Sequence, residues 1–186
     1  LKSSLETMSG LFSDCYYLQE VDISGLDTSK VTSMAGLFRR CTSLTTIDFG
    51  RINTSNVTTM EEMFLGSGNL VSFDLSFFDT SKVKDMNSMF EHSTNLKFLD
   101  ISKFDTSQVT DMSYMFSNNR GITSLDLRHF NTKNVINMDS MFNCGYELRY
   151  LDVSSFDTSK VTNMANMFSS IPYVLSLDLS NFNTYN

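Results

Sequence analysis

Apolar and polar residues alternate over short stretches, then regroup at intervals of three and four, and this double rhythm returns every 26 residues along the chain. Asp stands at 22, 48, 74, 100, 126, 152 and 178, each time between two apolar residues, as in Val21-Asp22-Ile23 and Leu151-Asp152-Val153. Alternation of this kind predicts a short, half-buried strand. Six residues after each Asp comes Thr, from Thr28 to Thr184, always preceded by Asp or Asn. Apolar residues then fall at Val31, Met34, Leu37, Phe38, Cys41 and Leu44 and at their counterparts in later units. Spacings of three and four predict one apolar stripe on a short helix or 3₁₀ turn. Thr7, Ser33, Thr59, Asp85, Asp111, Asn137 and Asn163 stand directly before the repeating Met column. All seven are residue types that cap the first turn of a helix.

No insertion breaks the register, so the chain reads as seven coils, each with a strand, an Asx-Thr-Ser turn, a short capped helix and a return loop. Burying an apolar side chain contributes about 1.5–3 kcal/mol, and ordering one residue costs about 1–2 kcal/mol. One coil therefore cannot stand alone, and stability becomes a sum over neighbouring coils. Residues 1–186 are expected to form a single repeat solenoid. The sequence starts at Leu1 and stops at Asn186 inside the unit, which reads as an excerpt of a longer array.

The unit L-x-x-L-D-L-S-x-F-D-T-S-x-V-x-x-M-x-x-M-F-x-x-C-x-x resembles the repeat of BspA-like bacterial leucine-rich-repeat surface proteins. That resemblance implies an α/β fold: a right-handed leucine-rich-repeat solenoid, with short parallel strands on one face and short helices or 3₁₀ turns on the other. It also implies an extracellular place, at a bacterial cell surface or secreted, and a part in adhesion. One column departs from the pattern, reading Cys15, Cys41, Ser67, Ser93, Asn119, Gly145 and Ile171.

Composition narrows the function classes. A net charge of −7 and a pI near 4.7 argue against nucleic acid as a partner. No run of 18 apolar residues is present, so no membrane insertion of this segment is expected. Cys15, Cys41 and Cys144 are too few for a disulfide framework. Cys15 and Cys41 occupy equivalent sites, within disulfide reach of each other or as two thiols in the core. His92 and His129 fall at unrelated phases of the repeat, with no triad partners, zinc spacing or phosphate loop, so no enzymatic activity is expected.

Candidate chemistry lies on the strand face. Stacked in register, the Asp column (Asp22, Asp48, Asp74, Asp100, Asp126, Asp152, Asp178) would sit at roughly 4.8 Å intervals. Neighbouring charges would repel by about 0.9 kcal/mol even in water. Relief could come from hydrogen bonds to the Ser column two residues on, with some raised pKa values, from a bound Ca²⁺, or from a basic partner. Otherwise no cofactor is expected. The outward residue two before each Asp includes Glu20, Phe98 and Tyr150, with Lys97, Arg128 and Arg149 near the aromatics. Exposed aromatics with Arg beside them are common interface anchors. Those six residues form the candidate binding patch for a protein or glycan ligand outside the cell. A passive spacer that displays another domain is the alternative.

Overall fold

The structure, a computed structural model, describes residues 5–184; Leu1 and Asn186 lie outside the described residues. Its strands are β1 (Glu20–Asp22), β2 (Thr46–Asp48), β3 (Ser124–Asp126) and β4 (Tyr150–Asp152). β1 pairs with β2 and β3 with β4, both parallel and both offset by one repeat, so that Asp22 faces Asp48 and Asp126 faces Asp152. A second ladder of parallel bridges runs through Thr7, Ser33, Thr59, Asp85, Asp111, Asn137 and Asn163 at the same offset. Like residues therefore stack on like residues, coil upon coil.

The expected α/β class does not hold, and the leucine-rich-repeat solenoid with helices or 3₁₀ turns on one face is corrected. Among the described residues there is no helix of either kind, only four three-residue strands in two small parallel sheets. The stretch assigned to a helix is a chain of turns. In the second coil Met34, Gly36, Phe38 and Arg40 donate their N–H groups to Thr59, Glu61, Met63 and Leu65 of the next coil at 2.6–3.1 Å. The N–H groups that follow the last three of these, of Leu37, Arg39 and Cys41, close back onto the carbonyls of Met34, Gly36 and Phe38. A helix would spend all of these donors inside its own coil.

Backbone geometry fixes that division. Gly10, Gly36, Glu62, Ser88, Tyr114, Ser140 and Asn166 have positive φ, and so do Asp14, Arg40, Gly66, His92, Asn118, Cys144 and Ser170, four residues later in each coil. Each sits third in a hydrogen-bonded or equivalent four-residue turn, the place where a type II turn demands positive φ. The supposed helix caps do satisfy N–H groups, but as turn residues: Ser33 Oγ accepts from Ala35 and Asp85 Oδ1 from Asn87. Gly50 marks one local constraint. Its φ is +57°, and a Cβ there would come within 2.5 Å of Ser24 Cβ, so the turn after β2 takes glycine.

The inward residues form one core cluster reaching from Met8 to Met167. Along its axis the rings of Phe12, Phe38, Phe64, Phe90, Phe116, Phe142 and Phe168 stack at centroid separations of 5.5–5.9 Å. The Thr column ties neighbouring coils together. Buried Thr80 donates its hydroxyl to the Asp105 carbonyl and accepts from the Asp105 N–H, and Thr106 does the same with Asn131. All three cysteines are free. Cys41 is buried and donates to the Phe12 carbonyl, and burial pushes its thiol pKa up to about 11. Cys15 and Cys144 are only partly covered.

Candidate functional site

On the strand face every Asp of the column closes an Asx turn. Its Oδ1 accepts the N–H two residues on, at 2.8–3.2 Å, in all seven coils. This reverses the expected direction of titration. The hydroxyl and then the N–H of the following serine hold Asp22, Asp74, Asp100, Asp152 and Asp178 below the usual carboxylate range. At Asp126 the Arg128 side chain, bonded to both carboxylate oxygens at 2.9 and 2.6 Å, lowers the value to about 2. Among the described residues no three His, Cys, Asp or Glu side chains come together in a way that could hold a metal ion.

Acid should therefore erode the fold. A carboxyl whose folded pKa is depressed contributes stability above its unfolded value near 3.9 and loses it as pH falls through the folded value. Glu61 and Asp85 have pKa values raised chiefly by burial, so their protonation works the other way and comes first on acidification. Melting temperature should thus change little or rise slightly on leaving neutral pH, then drop below about pH 4. Asp74→Asn keeps the turn acceptor but removes the titration, so its acid limb should be shallower. An unchanged acid limb would exclude the Asp74 turn as a contributor to it.

Among the described residues the ladder on this face closes only between alternate coils. Thr45 N–H bonds to Gln19 O, Lys97 to Val71 and Arg149 to Thr123, at 2.8–3.1 Å. Among the described residues no equivalent bond joins 45 to 71, 97 to 123, or 149 to 175. Shallow grooves lie at these three gaps. The first has Arg51 and Ile52 opposite Asp74 and Phe77, and the second has Lys97 and Phe98 opposite Thr123 and Ser124. The third has Arg149 and Tyr150 opposite Leu175 and Ser176.

The predicted patch is thus divided. Phe98 and Tyr150, 73% and 50% exposed, stand on equivalent walls of two grooves, with Lys97 and Arg149 beside them. Arg128 is spent on Asp126. Arg149 also reaches Glu147 at 3.5 Å and lies 5.0 Å over the Tyr173 ring, so it faces the seventh coil rather than Phe98. Glu20 is exposed on β1, three coils before Phe98, and lines neither groove. Sequence reasoning missed Leu175, which is 96% exposed and follows Arg149 in the same outward column. His92 lies 3.6 Å from Glu91, and His129 Nε2 bonds to the Ile101 carbonyl, so the two imidazoles have unrelated settings. Among the described residues no helix is long and apolar enough to cross a membrane.

No curated protein matches the chain. A family model does, and it matches twice: the family described as Mycoplasma protein of unknown function, DUF285, aligns with residues 2–94 and again with residues 69–182. Residues 69–94 are common to both, a stretch one repeat unit long, as expected when a pattern can be laid on the same array in two phases of whole coils. With nearly its full length covered, the repeat-built chain belongs to this DUF285 family.

Proposed function

We propose that the chain is a non-enzymatic, extracellular binding module of a bacterial surface protein, taking a protein or glycan ligand on the strand face. The observation that carries this reading is the pair of exposed aromatics, Phe98 and Tyr150, each on the wall of a groove and two coils apart. Large apolar side chains left in solvent at equivalent places, with cations beside them, suit anchors in an interface. Likeness of the repeat unit to BspA-like surface proteins supports the extracellular setting and an adhesive role.

A screen of the chain against matrix proteins and glycans identifies ligands, and Phe98→Ser with Tyr150→Ser tests the face. Binding should weaken by tenfold or more, about 1.4 kcal/mol, with the melting temperature nearly unchanged. The core running unbroken through the coils favours a second reading, a stiff spacer that displays another domain. Ligands that bind the double variant as tightly as the parent chain would sink the first reading and leave the spacer.

A further inference from the structure

Beside the phenylalanine stack runs the column Cys41, Ser67, Ser93, Asn119, Gly145. Cys41, Ser67 and Ser93 each donate to the phenylalanine carbonyl 29 residues earlier: Cys41 to Phe12 at 3.0 Å, Ser67 to Phe38 at 2.8 Å, Ser93 to Phe64 at 3.2 Å. The pattern breaks at Asn119. This side chain is only 2% exposed, yet neither its Oδ1 nor its Nδ2 has a hydrogen-bond partner in the protein. The next member, Gly145, has no side chain with which to continue the pattern. A cavity opens between the two, walled by the Phe116 and Phe142 rings and by Ile122, Leu125 and Leu148. It offers about 10 Å³ to the centre of a water-sized sphere.

We propose that Asn119 and Gly145 build an internal binding site for a single water molecule. That volume is close to the minimum that admits one water. The walls are apolar except for the Asn119 amide and nearby backbone, so an ion would lose its hydration without replacement. A water can both accept from Nδ2 and donate to a carbonyl oxygen. It takes the place in the column that a serine hydroxyl fills two coils earlier. An amide with both ends unpaired in the core is costly, and a dry cavity would leave it so.

Magnetic relaxation dispersion of water oxygen on the whole chain counts long-lived internal waters, and a high-resolution crystal structure places them. The expected result is one ordered water in hydrogen-bond contact with the Asn119 amide, and one fewer long-lived water in Asn119→Leu, whose melting temperature does not fall. Gly145→Ser should likewise displace one water. Its Cβ would sit 3.3 Å from the Phe142 carbonyl oxygen, a tight fit, so should either variant fail to fold, the parent structure alone decides. An empty cavity, an Asn119 amide turned onto protein partners, or a water count unchanged in a folded Asn119→Leu would overturn the proposal.

Discussion

Phe90→Ala is expected to lower the unfolding free energy by about 3–5 kcal/mol, the range for emptying a large aromatic site in a core. Phe90 is fully buried, and its ring lies between Phe64 and Phe116 at 5.7 and 5.9 Å, tilted by only 4° and 9°. Each ring is held at the spacing of the coils, so its neighbours cannot close over the gap without breaking the ladder beside them. Loss is therefore concentrated at the junction of the third to fifth coils. Since stability adds between neighbours, the variant should also unfold less cooperatively, with a smaller urea slope than the parent chain. Phe168→Ala, in the half-buried seventh coil, should cost clearly less. Equal losses from the two substitutions, measured by urea unfolding, would mean that stacking within the array does not govern its stability.

Thr106→Val should have the next largest effect. The substitution conserves volume but deletes a buried hydroxyl that both donates to the Asn131 carbonyl, at 3.1 Å, and accepts from the Asn131 N–H, at 2.8 Å. Each backbone group left unpaired costs about 1–3 kcal/mol. Thr106→Ser retains the hydroxyl and should recover most of the loss. Amide exchange adds a local check: the Asn131 N–H should exchange much faster in the valine variant than in the serine one. Identical exchange in both would show that the hydroxyl does not hold that turn.

The repeat, its register and the identity of the inward columns could all be read from the chain. Val31, Met34, Leu37, Phe38, Cys41 and Leu44, selected by spacing alone, are every one buried. The element carrying them could not be read. Overlapping four-residue turns also bring residues three and four apart to the same side, so the spacing fits turn and helix equally. The capping types before each Met gave no discrimination either, because Ser, Thr, Asp and Asn satisfy N–H groups in Asx and related turns as well as at helix starts. What separates the two outcomes is positive φ at residues such as Tyr114 and His92, which no local signal announces.

The site was legible to a similar depth. Phe98 and Tyr150 are both exposed, Tyr150 on β4 and Phe98 in a coil that forms no strand, but the destinations of Arg128 and Arg149 depend on neighbours that spacing does not specify. Hydrogen bonds to the Ser column were foreseen, but the direction of the Asp titration was misjudged because repulsion between coils was given more weight than those bonds. A hydrogen bond at 2.8 Å from Ser24 to Asp22 outweighs a like charge one coil away in solvent.

From Met34 to Arg40 the donors that leave the coil all run toward the following coil, and the carbonyls of Ser33, Ala35, Leu37 and Arg39 all accept from the preceding one. Peptide dipoles in this stretch consequently add from coil to coil, as they do along a helix axis. The array has a polar axis: a unit gained by duplication fits only head to tail, and an inverted unit would set donor against donor.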